Sequence, residues 1–218
     1  MRGPLGRTRV KICALTRRDD ALRAADLGAD AVGFVFAPGS RRRVDPDRVA
    51  GIVEELPPFV TPVGVFRDQP AGEVRRIVRG CGLGLAQLHG DEDPAYARSL
   101  GVPVLKAVGV DGPGALAEVG RWAGLGAVLL DTPGGGTGRT FEWALAVEAK
   151  RHARVVLAGG LHPGNVARAI RRVRPWGVDV ASGTEAAPGV KDPEKLAAFF
   201  RAVAGADREV ARDEGGST

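Results

Sequence analysis

The sequence predicts a (β/α)8 barrel, a single α/β domain of eight parallel strands in the TIM-barrel architecture. Three observations carry that prediction. Short apolar runs rich in Val, Ile, Leu and Phe alternate with amphipathic stretches of helical length about eight times. Successive strands begin roughly 20 to 30 residues apart, the length of one βα unit. The chain has 218 residues, enough for eight such units near the short end of the fold's range. A doubly wound sheet would show a Gly-rich turn after its first strand. Here that strand runs into Cys13-Ala14-Leu15-Thr16.

The strands are read in order at residues 9–13 (RVKIC), 31–36 (AVGFVF), 60–66 (VTPVGVF) and 83–89 (LGLAQLH). They continue at 102–108 (VPVLKAV), 126–131 (GAVLLD), 154–158 (RVVLA) and 177–181 (GVDVA). Gly or Pro punctuates their ends. Helices are read at 19–27, 45–56, 70–79, 165–173 and 192–204. In the first, Ala21, Leu22 and Ala25 share one face while Arg23 and Asp26 lie off it. No linker divides residues 9–204, which form the expected domain. Residues 1–8 lack a pattern and 205–218 are polar, so both are read as frayed tails.

Composition narrows the function classes. Hydrophobic residues at 44% and charged residues at 26% exclude wholesale disorder. A net charge of +5 suits a phosphorylated or carboxylated small substrate. Aromatics at 5% and well-mixed charges argue against a nucleic-acid partner. No apolar run approaches the ~18 residues of a membrane span, and the N-terminus lacks the apolar core of a secretory signal. Two cysteines, far apart, and three scattered histidines give no metal spacing and no disulfide framework. A reducing cytoplasm fits that usage.

In a barrel of this type, functional groups gather at the C-terminal strand ends. That rule selects Cys13 after strand one, Arg41-Arg42-Arg43 after strand two, His89 at strand four and Asp131 at strand six. It also selects three glycine-bearing loops: Gly134-Gly135-Gly136-Thr137-Gly138, Gly159-Gly160 and Ser182-Gly183. Small residues there let backbone N–H groups approach an anion, although a single Gly pair often only turns the chain. Asp131 beside apolar walls is a candidate proton donor, or else a turn cap. Cys13 is a candidate base, or else a small buried hydrophobe. Arg42 and its neighbours suit either a solvated loop or a carboxylate grip, and His89 either a ligand contact or a turn. Cys81 precedes a strand and falls on the opposite, stability face.

Taken together, the segments resemble those of the phosphoribosylanthranilate isomerase family of tryptophan biosynthesis. The resemblance is carried by Val10-Lys11-Ile12-Cys13, by Gly28-Ala29-Asp30-Ala31-Val32-Gly33-Phe34-Val35-Phe36 with Ser40-Arg41-Arg42, and by Val63-Gly64-Val65-Phe66. It continues through Gln87-Leu88-His89-Gly90, Leu129-Leu130-Asp131-Thr132, Gly135 to Trp143, Ala158-Gly159-Gly160-Leu161 and Val178 to Gly183, then Pro188-Gly189-Val190-Lys191-Asp192. It implies an Amadori rearrangement of N-(5-phosphoribosyl)anthranilate, with neither metal nor organic cofactor. Cys13 matches the family's general base, Asp131 its general acid, and Arg42 the anchor of the anthranilate carboxylate. The loops with Gly135, Gly136 and Gly138, with Gly159 and Gly160, and with Ser182 and Gly183 match the phosphate site. The resemblance implies a monomer or a homodimer. Three positions depart from the family's habit: Ala14 stands where Gly is usual, His162 where Asn is usual, and Ala181 where Ser is common. A related sugar isomerase of histidine biosynthesis would place an aspartate at the end of strand one, where this chain has Cys13. A silent phosphate-binding module would lack one of Cys13, Asp131 or Arg42.

Overall fold

The computed structural model describes residues 6–133 and 140–215. Eight parallel strands close into a barrel: β1 (Arg9–Ile12), β2 (Ala31–Val35), β3 (Thr61–Phe66), β4 (Leu85–Leu88), β5 (Val104–Gly109), β6 (Gly126–Asp131), β7 (Arg154–Leu157) and β8 (Gly177–Val180). The helices between them are α1 (Arg18–Asp26), α2 (Pro46–Glu54), α3 (Ala71–Gly80), α4 (Pro94–Ser99), α5 (Ala115–Arg121), α6 (Trp143–Ala149) and α7 (Val166–Val173). The barrel closes where β1 pairs with β8, with Lys11 opposite Asp179.

Side chains alternate across each strand, and this decides what reaches the site. In β5, Val104 and Val108 pack outward into the main core beneath the helices, while Leu105 and Ala107 face the barrel axis. The same alternation sends Val10 and Ile12 outward and Cys13 inward. Leu105, Leu129 and Val156 fill the lower interior with Leu85, Ala127 and Trp176. Phe36 stacks on Phe66 outside the sheet, with ring centroids 5.4 Å apart. The helix starts follow local chemistry. Asp45 and Asp93 cap α2 and α4 by accepting from the Asp47 and Tyr96 backbone N–H groups, each with Pro at the first helical position.

Two departures from the expected boundaries stand out. The last helix, α8, does not end at 204 but spans Pro193–Gly215. Val203, Ala206 and Val210 are buried, and Asp207 accepts from both the backbone N–H and the hydroxyl of Thr8. Thr8 and most of the expected C-terminal tail are therefore tied into the fold. Polar composition concealed this because α8 is amphipathic, with its charged face paired to α7 through Arg171–Glu209 and Arg174–Glu214. The second departure is a small antiparallel hairpin after β8, formed by β9 (Glu185–Ala187) and β10 (Val190–Lys191), which sequence periodicity did not indicate.

Ala14 adopts φ of +63° immediately after Cys13. That conformation costs a residue with a Cβ about 1–2 kcal/mol. Ala14→Gly is expected to stabilise the fold by up to about 1 kcal/mol, after the entropy of glycine is discounted. The midpoint of urea unfolding measures it.

Candidate active site

The C-terminal rim gathers the polar groups. Cys13 ends the first strand and is held by its N–H, which donates to the Val180 carbonyl at 2.8 Å. Gly33 on β2 makes room for its thiol: a Cβ at Gly33 would lie 2.9 Å from Cys13 Sγ and 3.2 Å from Lys11 Nζ. Burial pushes the Cys13 thiol above the ordinary thiol value, while Lys11 and, less strongly, Lys191 pull it down. Beneath it, Lys11 Nζ donates to Asp179 Oδ1 at 2.7 Å, an ion pair shielded from solvent. Burial opposes the Lys11 ammonium, but Asp179 and Cys13 outweigh it and hold Lys11 charged.

Asp131 ends β6, three strands around the ring from β1 by way of β8 and β7. Its Oδ1 accepts from the Thr132 N–H at 2.7 Å. Burial raises its carboxyl to about 6, against the lowering effect of that hydrogen bond. Gly159 permits the arrangement. A Cβ there would lie 3.0 Å from the Thr132 nitrogen and 3.2 Å from Asp131 Oδ1. His89 Nε2 stands 3.7 Å from Asp131 Oδ2, and Gln87 Nε2 donates to its Nδ1 at 3.1 Å. Burial lowers the His89 pKa, so the ring is neutral at pH 7.

Arg42 lies on the loop after β2, and its fork is engaged. Nε and Nη2 donate to the Glu185 carboxylate of β9 at 2.8 and 2.7 Å. This two-point contact fixes the plane of the guanidinium and leaves Nη1 without a hydrogen bond among the described residues. Glu185 is in turn held by the Gly189 N–H, and burial of its carboxylate is outweighed by Arg42 and Lys191, which keep it ionised.

The glycine loops after β7 and β8 meet on the same rim. Gly159 and Gly160 take successive positive φ values of +78° and +60°, which curls the backbone as a residue with a Cβ would not. Asn165 braces the turn: its Nδ2 donates to the Gly160 carbonyl and its Oδ1 accepts from the His162 N–H. His162 keeps its loop ordered by accepting from the Gly164 N–H through Nδ1. Ser182 and Gly183 lie in a short 3-10 turn, Ser182–Thr184. A Cβ at Gly183 would fall 1.9 Å from the Leu161 carbonyl oxygen, so only glycine lets the two loops touch. Gly135, Gly136 and Gly138 lie outside the described residues.

The rim thus brings together Cys13, Arg42, His89, Asp131, Gly159, Gly160, Ser182 and Gly183. Sequence reasoning missed four ionic residues that hold it: Lys11, Asp179, Glu185 and Lys191. For the first two a signal existed, a lysine inside β1 between Val10 and Ile12 and the single charge of β8, which the barrel closure sets side by side. Cys81 lies away from this rim, its thiol donating to the Pro46 carbonyl at 3.3 Å. A cavity of about 830 Å³ opens at the other end of the barrel, among Leu85, Leu105, Trp176 and Arg154. It lies at the strand N-termini and shares none of the acid, base or glycine-loop groups, so the chemistry is assigned to the rim. No helix among the described residues is long and apolar enough to cross a membrane.

Comparison with known proteins agrees with this geometry. Residues 10–202 match the family described as N-(5'-phosphoribosyl)anthranilate (PRA) isomerase. An N-(5'-phosphoribosyl)anthranilate isomerase of Geobacter sp. (strain M21) is 50% identical over 196 residues, covering 88% of this chain and 96% of that one. The crystal structure of a phosphoribosyl anthranilate isomerase from Thermus thermophilus superposes with a TM-score of 0.86 at 46% identity, over 91% of this chain and 99% of that one. A second such isomerase, solved in complex with reduced 1-(o-carboxyphenylamino)-1-deoxyribulose 5-phosphate, superposes with a TM-score of 0.84 at 40% identity, over 91% and 99% of the two chains. The chain belongs to the N-(5'-phosphoribosyl)anthranilate isomerase family and is an isomerase of tryptophan biosynthesis.

Proposed function

We propose that the chain converts N-(5-phosphoribosyl)anthranilate to 1-(2-carboxyphenylamino)-1-deoxyribulose 5-phosphate, with Asp131 as acid and Cys13 as base. The observation that carries this reading is the pair itself. Both groups are buried at C-terminal strand ends and face the barrel interior, and two strands, β7 and β8, lie between them around the ring, so acid and base stand on different parts of the rim.

The steps follow from the groups. Asp131 in its protonated form gives its proton to the ring oxygen as the C1′–O bond breaks. The anthranilate nitrogen supplies its lone pair and becomes an iminium. That cation acidifies the C2′ hydrogen, which the Cys13 thiolate removes. The C–H electrons form the C1′–C2′ double bond and restore the neutral nitrogen. The enolamine then takes a proton at C1′ and loses one from the C2′ hydroxyl, giving the ketone. The nitrogen is the electron sink, so these steps use only proton transfers.

Anchoring is assigned to the rest of the rim. Arg42 binds the anthranilate carboxylate through Nη1, with Glu185 fixing its plane. The curled loops at Gly159, Gly160, Ser182 and Gly183 present N–H groups to the phosphate. Arg42→Ala is expected to weaken substrate binding by about 1.5–3 kcal/mol. Arg42→Lys should recover only part, because a fork becomes a point charge. Steady-state KM values for the two variants check this, and an unchanged KM in Arg42→Ala would discard the assignment. The overall reading is tested by adding purified protein to freshly prepared phosphoribosylanthranilate and following its fluorescence. Loss of fluorescence in proportion to enzyme supports it; loss at the rate of a protein-free control rejects it.

A further inference from the structure

The charges packed around Cys13 do not balance. Lys11 on β1 pairs with Asp179 on β8 at 2.7 Å. Arg42 from the β2–α2 loop takes both oxygens of Glu185 on β9, Nε at Oε1 and Nη2 at Oε2. Each carboxylate is thus claimed at close range by one cation. Lys191 on β10 is left over. Its side chain is 0% exposed, it donates to the Ala181 carbonyl at 2.9 Å, and among the described residues its ion-pair partner is Glu185 at 3.7 Å. A buried ammonium with only a carbonyl and a shared carboxylate lacks its full countercharge. Ala181 packs against the cluster that contains Cys13, and the Cys13 N–H donates to the carbonyl of Val180, the residue before Ala181, at 2.8 Å. The other elements of that cluster, β2 at Val35 and β3 at Val65, bring no charge to it. Across the mouth stand His89, which is neutral, and Asp131, whose carboxyl titrates at about 6.

We propose that Lys191 is a positioning residue that supplies countercharge for the Cys13 thiolate and so increases the fraction of the base in its proton-accepting form. The proposal rests on Cys13 being the base. It explains why a lysine is buried at a hairpin whose backbone is separately pinned, the Lys191 N–H donating to Asp20 at 3.0 Å. The fold does not need the ammonium for that bond. Burial pulls the Lys191 pKa down, while Glu185 and then Cys13 work to keep it charged.

The test reads the thiol in the free enzyme, in a Cys81→Ser background, by pH titration of the ultraviolet thiolate absorbance. Lys191→Met is expected to move the Cys13 midpoint upward by about one pH unit, a tenfold loss of thiolate at any pH below it. In parallel kcat should fall about tenfold with KM changed less than about twofold, and Lys191→Arg should restore the wild-type midpoint. An unchanged midpoint in Lys191→Met overturns the proposal, whether Lys191 then proves structural (lower thermal midpoint) or a substrate anchor (raised KM). Should Lys191→Met fail to fold, Glu185→Gln decides. Removing that carboxylate deepens the cation excess and should lower the midpoint, and a midpoint unchanged or raised overturns the proposal. These titrations are independent of turnover. If Cys13→Ser keeps its activity, the base assignment has failed whatever the titrations show.

Discussion

Replacing Cys13 with serine is expected to lower kcat by about 10²–10⁴-fold with little change in KM. Serine keeps the shape and the backbone hydrogen bond to Val180, so the strand end should remain in place. What it loses is acidity: a hydroxyl does not ionise where a thiol can, even one raised by burial. Cys81→Ser controls for thiol chemistry in general, because Cys81 only caps a helix end against Pro46 and should leave kcat unchanged. A Cys13→Ser enzyme retaining more than about a tenth of kcat would make Cys13 a packed strand residue.

Asp131→Asn is expected to lose activity on the same scale, about 10²–10⁴-fold, since an amide cannot deliver the ring-opening proton. The wild-type pH profile follows from the two groups. The carboxyl titrates at about 6 and the thiol above its ordinary value. The working form needs the acid protonated and the base ionised, the reverse of the order in which they titrate. Below pH 6 the rate rises with pH as thiolate accumulates. Between the two pKa values gain of thiolate and loss of protonated Asp131 cancel, giving a plateau. Above the thiol pKa only the loss of the acid remains, and the rate falls. A kcat/KM profile with a low-pH limb near 6 checks this. Stability changes in the opposite sense to activity. A carboxyl raised from 3.8 to about 6 binds more protons folded than unfolded between those values, so its contribution is lost as pH rises from about 4 to 6. Asp131→Asn has no such loss. Its stability advantage over wild type should grow across that window to about 3 kcal/mol at neutral pH, read by urea unfolding at pH 4 and pH 7.

The barrel was legible in the sequence because each strand carries its own period. Outward Val10 and Ile12 alternate with inward Lys11 and Cys13, and inward Leu129 and Asp131 alternate with outward Val128 and Leu130. Once the strand ends are known, the rule that chemistry sits there selects Cys13, His89 and Asp131 without further information. Arg42 was legible as a position but not as a pose. Its plane depends on Glu185, 143 residues away, and no local pattern encodes that contact. Lys191 was hidden for the same reason: its burial comes from the β9–β10 hairpin folding over the rim. The run of α8 past Ala204 was missed because a polar composition masks an amphipathic face whose partners lie on α7 and at Thr8.

Ala14 illustrates how a departure from family habit acts. Its left-handed backbone strains the link between the base and α1 without removing any group from the rim. Gly33, Gly159 and Gly183 show the converse. Each is fixed by what a Cβ would strike: the Cys13 thiol, the Thr132 backbone and Asp131 carboxylate, and the Leu161 carbonyl. Gly33 and Gly183 shape the mouth without a left-handed backbone, whereas Gly159 shapes it with one.

The central claim is that one molecule is held between Cys13 and Asp131 by Arg42 at one end and the glycine loops at the other. A crystal structure of this protein with reduced 1-(o-carboxyphenylamino)-1-deoxyribulose 5-phosphate bound tests it most directly. The expected result places the phosphate on the backbone N–H groups of the Gly160 and Gly183 loops, the aromatic carboxylate on Arg42, and C2′ beside Cys13 Sγ with Asp131 on the opposite side of the sugar chain. A ligand seated on the rim with its phosphate away from both loops, or with C2′ out of reach of Cys13, would contradict it.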